Sequence, residues 1–321
     1  MTTRQVLVLG GTGFVGRAVC AQLAARQVRI RILSRDAAKA RPLTVLPALE
    51  AMHGSPHDDA TLRRAMAGVD AVINLVGILH ERGRDTFERA HVDLPRRVAQ
   101  LCREANVTRL VHMSALKADT EGPSAYLRSR GRGEAAARAA FGHSGLTILR
   151  PSVIFGAGDR FVNLFAAMAQ WAPVIPLAGA HARFQPVWVE DVARALVDCL
   201  EGERTHGQAY ELCGPDVYTL AEIVLFAART RGLRRRVIPL PGPVAALQAF
   251  VMERLPGPLM TRDNLRSMSI DNVCECGWPG VFAFAPSAMQ SVVPSYLSPG
   301  VPRDRYAGRR DPSLRPSRRP R

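Results

Sequence analysis

Lysine is nearly missing from this 321-residue chain, occurring only as Lys39 and Lys117. Positive charge is carried by arginine, whose planar fork grips anions but does not release a proton. Carboxylates are also few: 28 Asp+Glu face 43 Lys+Arg, for a formal charge of +15. No apolar run reaches the roughly 18 residues that a membrane-spanning helix needs, so an integral membrane protein is not expected. Aromatics make up only 6% of the chain. No aromatic-interleaved RNA-binding pattern accompanies the arginines, so specific nucleic-acid recognition is not expected. No leader pattern precedes Gln5-Val6-Leu7-Val8-Leu9, which points to a cytoplasmic protein. The six cysteines, Cys20, Cys102, Cys199, Cys213, Cys274 and Cys276, are then expected to be reduced. Cys274 and Cys276 lack the second pair that a zinc site requires.

What is present is a packed core: 47% of residues are apolar, enough for one large domain with a smaller partner. Short apolar runs at Val6–Leu9, Val28–Leu33, Leu49–Met52, Ala71–Val76, Leu110–Met113 and Leu146–Leu149 read as strands. Helical spacing fills the gaps at Phe14–Arg26, Asp59–Ala67, Thr86–Glu104 and Ala125–Phe141. The alternation predicts an α/β fold, a doubly wound parallel sheet of Rossmann type, with ligands at the carboxyl ends of the strands. After Arg150-Pro151 the spacing predicts a helix over Phe161–Trp171, strands at Val187–Val189 and Ala209–Leu212, and a helix between Asp191 and Glu201 capped by Asp191. The expected organisation is a nucleotide-binding domain over 1–233, with core 1–152 and returning elements 184–213. A small C-terminal subdomain over 234–298 and a basic, disordered tail over 299–321 follow.

The strongest local signal is Gly10-Gly11-Thr12-Gly13-Phe14-Val15-Gly16, after a strand and opening a helix. Such glycines allow a tight turn and let bare amides approach a pyrophosphate at the positive helix end. Gly10, Thr12, Gly13, Phe14, Val15 and Gly16 are therefore candidate cofactor contacts. The second strand ends in Ser34-Arg35, where an NAD-selective site would place a carboxylate on the ribose. A guanidinium here suits a 2′-phosphate, with a preference for NADP(H) over NAD(H) of about 1.5–3 kcal/mol, or roughly 10- to 150-fold. Alternatively, Arg35 is a solvated turn residue.

Several further stretches carry a family resemblance. The glycine motif, Asn74-Leu75-Val76-Gly77, Ser114, Tyr126 and Arg150-Pro151-Ser152-Val153-Ile154-Phe155-Gly156 resemble extended and atypical short-chain dehydrogenases. The runs Tyr126–Glu134, Phe184–Ala193 and Leu255–Asn264 resemble, more narrowly, the nucleotide-binding accessory subunit of respiratory complex I (NADH:ubiquinone oxidoreductase) and its bacterial relatives. The resemblance covers about residues 5–297. It implies a nicotinamide dinucleotide contacted also by Asn74, Val76, Gly77, Tyr126, residue 130, Pro151 and Val153, and a partner in respiratory or ubiquinone-related machinery. In active relatives a Tyr is the general acid/base, a Lys four residues on lowers its pKa, and a Ser orients the carbonyl. Tyr126 and Ser114 match these roles, but position 130 is Arg. Free Tyr ionises near ~10, and a cation about 4 Å away supplies the ~4 kcal/mol that neutral-pH catalysis needs. Shape is what differs, because a planar fork replaces a compact ammonium. A binding module with little turnover and an active NAD(P)-dependent epimerase, dehydratase or reductase both remain open.

Two basic clusters stand outside this frame. Residues 301–321 hold eight arginines against Asp304 and Asp311, and Arg229, Arg231, Arg234, Arg235 and Arg236 form a second group. They suit weak contact with a membrane surface, placing the protein at the inner membrane face, or else form a solvated end. The apolar segment Val244–Leu255 is expected to roof the substrate cleft, the alternative being an interfacial helix.

Overall fold

Central parallel strands need apolar side chains on both faces, and the expected runs supply them. The computed structural model describes residues 3–254 and 260–299. The arginine-rich segment 301–321 and residues 255–259 of the Leu255–Asn264 stretch lie outside the described residues. Seven strands form one parallel sheet: β1 Gln5–Leu9, β2 Arg29–Ser34, β3 Leu49–His53, β4 Ala71–Asn74, β5 Arg109–Met113, β6 Leu146–Pro151 and β7 Ala209–Leu212. Their order is β7-β6-β5-β4-β1-β2-β3. β1 pairs with β2 on one side and β4 on the other, which makes the β1/β4 crevice the switch point where such sheets bind ligands.

Helices cover both faces. On one, α1 (Phe14–Ala25) packs against a later helix, Val189–Asp198, through Val19, Leu23, Val192 and Leu196. On the other lie α2 (Asp59–Met66), α3 (Leu94–Glu104) and α4 (Ala125–Phe141), around Leu62, Val98 and Phe141. Asp58 and Ser124 cap α2 and α4 by accepting from the Thr61 and Leu127 amides at 2.8 and 3.1 Å, which satisfies donors that the helix leaves free.

Three expectations about helices need correction. The helix anticipated over Thr86–Glu104 is broken: Glu88–Asp93 is a π-helical turn, and α3 begins at Leu94. Pro95 has no N–H to give the His91 carbonyl four residues back, and Gly133 passes so close to that oxygen that a Cβ would collide with it. Asp191 is not the cap of its helix, which starts two residues earlier; its carboxylate accepts instead from the Ser287 amide at 2.6 Å. Helix Gly242–Met252 is not buried all round: Ala245 and Ala249 are buried and Met252 packs beside them, but most of its surface is exposed.

A third apolar cluster gathers Phe155, Phe165, Ile175, Phe184, Ile223 and Val293, so residues 234–298 share their packing with segments near 155–184 and 218–228. The segment 271–276 is held to the sheet by a Cys213–Cys274 disulfide, with Cα atoms 6.1 Å apart and a sequence separation of 61. This overturns the all-reduced expectation; spacing alone does not reveal connectivity. Cys20, Cys102 and Cys199 are buried thiols, pushed up to about 12 by burial, and Cys276 is exposed.

Thiol titration of the denatured, unreduced protein should therefore find four of the six cysteines. Cys274→Ser should lower stability by about 2–4 kcal/mol in urea titrations. Six free thiols would remove the cross-link.

Candidate functional site

The glycine turn joins β1 to α1 at the switch point. Gly10 has φ +83°, and a Cβ there would lie 3.2 Å from the Leu75 carbonyl carbon, so an L side chain meets both strain and crowding. The Gly13 amide donates to Gly10 O at 3.0 Å. A Cβ on Gly16 would stand 2.6 Å from Gly11 Cα; the bare backbone lets α1 start hard against the turn. Gly13 provides no side-chain cap, and no carboxylate occupies the first turn of α1. Its leading amides are thus available to an anion. Thr12 is half-buried, and its carbonyl accepts from Arg17 Nε at 3.1 Å. Phe14 packs beside Gly156, and Val15 belongs to the core.

At the end of β2, Ser34 Oγ donates to the Asp36 carbonyl at 2.8 Å. The Asp36 carboxylate accepts from the Ala38 amide at 2.9 Å and caps a short helix. Arg35 projects outward, its Nη1 3.6 Å from Asp85 Oδ1. Burial and the nearby cations Arg89, Arg35 and Arg97 hold His57 below the usual histidine range, so this corner gathers positive charge that Asp85 only partly offsets. On β4, Asn74 Oδ1 accepts from the Val76 amide at 3.2 Å and its Nδ2 meets His112 Nδ1 at 3.3 Å. This braces the Asn74–Gly77 turn directly beside Gly10.

Tyr126 sits in the first turn of α4, edge-on to His91 and Phe87 at 5.5 and 5.9 Å between ring centres. Arg130, one turn on, is 5% exposed. Its Nη1 donates to the Met113 carbonyl at 3.2 Å, its Cζ lies 5.4 Å from the Tyr126 ring centre, and its Nε has no partner. A Cβ on Gly77 would collide with this guanidinium. Arg130 is thus wedged between β4, β5 and Tyr126. Ser114 follows β5; its amide donates to Leu149 O at 2.8 Å, while its buried Oγ has no partner.

His91 Nε2 accepts from the Ile78 amide at 3.0 Å, and its Nδ1 lies 2.8 Å from Ser129 Oγ. Since Ser129 Oγ itself donates to the Tyr126 carbonyl at 2.7 Å, the proton of a neutral imidazole belongs on Nδ1. Burial, then the Arg130 charge, lowers His91 to about 2 and His112 to about 3.

Sequence reasoning missed the groups that hold the outer side of the site. Asp263 accepts from the Ala125 and Tyr126 amides at 2.8 and 3.0 Å, fixing the start of α4. Asn272 Oδ1 accepts from Ser152 Oγ at 2.5 Å and the Val153 amide at 3.2 Å. Gln185 Oε1 accepts from the Cys274 amide at 3.0 Å. Asp263 and Gln185 lay inside the family-like stretches, so a resemblance marked them; nothing marked Asn272. The structure brings Gly10, Val76, Gly77, Arg130 and Tyr126 to the strand ends of one crevice. Pro151 joins this edge by accepting from the Leu116 amide at 2.9 Å. Ser34 and Arg35 stand farther out, at the end of β2. A side-chain-free cradle at a helix start and an unpaired Ser114 hydroxyl fit a dinucleotide whose diphosphate meets α1.

Comparison with known proteins agrees with this geometry. Residues 6–213 match the model of the NAD dependent epimerase/dehydratase family. The chain is 32% identical over 285 residues to NADH dehydrogenase [ubiquinone] 1 alpha subcomplex subunit 9, mitochondrial, of Mus musculus, covering 85% of this chain and 74% of the relative. It is 31% identical over 238 residues to a ceramide reductase of Caulobacter vibrioides, covering 74% of each. The fold superposes on dTDP-glucose 4,6-dehydratase of Streptomyces venezuelae with NAD and TYD bound, at TM-score 0.64 and 23% identity, covering 74% of this chain and 85% of that one.

Because His91 and His112 stay neutral when folded but protonate near 6.5 when unfolded, the unfolded state binds more protons below that pH. Stability is full above pH 7 and falls as pH drops through 6.5 toward 3, by up to ~1.4 kcal/mol per histidine per pH unit. Asp159 and Asp191, held up by burial, act in the opposite sense only nearer the carboxylate range. Imidazole resonances of both histidines should not move between pH 7.5 and 5; titration of either near 6.5 would contradict the buried neutral assignment.

Proposed function

This chain belongs to the NAD dependent epimerase/dehydratase family, and on that footing we propose that it holds a nicotinamide dinucleotide as a structural or assembly factor. Its machinery is respiratory or ubiquinone-related, of the complex I accessory-subunit type that the mouse relative represents. The amides of Gly11–Gly16 hold the diphosphate, Val76 and Gly77 pass beneath the adenosine, and Pro151 and Val153 flank the nicotinamide. Arg35 takes a 2′-phosphate, which favours NADP(H) over NAD(H). The basic segments place the protein at the inner membrane face.

The observation that carries this reading is the seating of Arg130. Its guanidinium is fixed by the Met113 carbonyl and crowded by Gly77, where active relatives have a mobile ammonium. A guanidinium stays protonated, so it stabilises charge but cannot pass a proton along a relay. When bound, the nicotinamide ring supplies a hydride donor or acceptor; Tyr126 and Arg130 hold its ribose rather than turn it over.

The unpaired buried Ser114 hydroxyl favours a second reading, an NAD(P)-dependent epimerase, dehydratase or reductase. There, Ser114 orients a substrate carbonyl and Tyr126 donates the proton.

Arg35→Ser should weaken NADPH binding by roughly 10- to 150-fold and leave NADH nearly unchanged; equal weakening removes the 2′-phosphate role. Under the main reading, the wild-type protein does not oxidise NADPH steadily with carbonyl substrates. Steady turnover abolished by Tyr126→Phe would establish the second reading instead.

A further inference from the structure

Helix Gly242–Met252 is amphipathic in the reverse of the usual sense. Two of its three alanines, Ala245 and Ala249, face inward onto Ala178 and Met260. Large apolar residues face out: Val244 is 48% exposed, Leu247 62% and Val251 54%. Gln248 Nε2 donates to the Pro176 carbonyl at 3.2 Å, seating the helix beside a two-stranded parallel ribbon, Val174–Leu177 with Arg236–Pro239. In that ribbon Val174 is the partner of Arg236, and Pro176 of Ile238. Ile175 and Leu177 are buried, so by strand alternation the four partnered residues share the outer face. Trp171, at the end of the helix before the ribbon, is 88% exposed. Arg235 Nε donates to the Ala169 carbonyl at 2.5 Å, which ties the arginine run to the end of the helix that carries Trp171.

Exposed apolar residues gathered on neighbouring elements in this way point to an interaction site. Its charges have one sign. Arg234 and Arg236 are exposed just before and in its ribbon, and Arg254 lies over the Phe250 ring at 3.4 Å. Glu253, the carboxylate nearest that end, is engaged by Arg262 at 2.7 Å. A two-fold contact with a second copy would set arginine against arginine. A helix of eleven residues is about 16 Å long and cannot cross a bilayer, and no helix among the described residues is long and apolar enough to do so.

We propose that this face rests on an anionic phospholipid bilayer. Helix Gly242–Met252 lies in the interfacial plane with Leu247 and Val251 at the acyl boundary, Trp171 sits at headgroup depth, and the arginines meet lipid phosphates. The inference rests on the inner-membrane placement above, to which it gives a specific face, and is independent of dinucleotide binding.

Full-length protein should sediment with phosphatidylcholine vesicles containing a quarter phosphatidylglycerol, and weakly with phosphatidylcholine alone. Arg234→Ser with Arg236→Ser should weaken binding to the anionic vesicles by about 25-fold, fivefold per arginine. Leu247→Glu with Val251→Glu should weaken it by at least about tenfold. These positions are exposed, and an unchanged thermal midpoint confirms folding. Trp171 emission should shift to the blue on adding anionic vesicles, and Trp171→Phe should abolish the shift. If the Leu247/Val251 variant binds like wild type, the face is not the contact, although placement through other basic segments stands. Absence of wild-type binding overturns both. If that variant instead dissociates a dimer or releases a bound protein while vesicle binding persists, the face belongs to a protein partner.

Discussion

The approach of the Gly16 backbone to the Gly10–Gly11 peptide sets the position of everything else in the site. Because no Cβ intervenes, α1 begins directly at the end of β1 and points its unbonded amides into the crevice between β1 and β4. Gly10 leans against Leu75 and Val76, so the same contact fixes the neighbouring turn, and Gly77 beyond it lies against Arg130. The strand-end crevice is built from backbone packed on backbone, a rigid arrangement suited to a ligand with a diphosphate bridge.

Around that cradle the charged and polar groups are held in place by burial and by hydrogen bonds. Arg130 is buried with one carbonyl partner and an aromatic face, and its field together with burial keeps His91 and His112 neutral. His91 bonds the Ile78 amide and Ser129, linking the Asn74–Gly77 turn to α4. Asp263 and Asn272 clamp the start of α4 and the Ser152–Val153 edge from the C-terminal side. Arg130 Nη1 and His91 are held in fixed hydrogen bonds, whereas the buried Ser114 hydroxyl and Arg130 Nε have no partner.

The sheet was legible because its central strands carry short apolar runs bounded by Gly, Asp, Asn or Ser. The glycine turn was legible because only that residue type tolerates such crowding. Helix α4 was read to the residue from its spacing, and Ala209–Leu212 joins the sheet as its seventh strand, paired with β6. The π turn at Glu88–Asp93 was not legible, since it depends on Gly133 approaching from another helix. The Cys213–Cys274 bond and the Asn272 anchor were hidden for a related reason: both are contacts across distant sequence that leave no local period. Helix Gly242–Met252 misled because apolar composition does not say which side is covered.

Isothermal titration of the folded protein with NADPH and NADH, beside a Gly16→Ala variant that still melts cooperatively, tests the account most directly. Saturable binding by wild type and its loss in the variant are predicted, since a methyl there would displace Gly11 and Gly10. Absence of binding by wild type to either coenzyme, in reduced or oxidised form, with none copurifying, would contradict it.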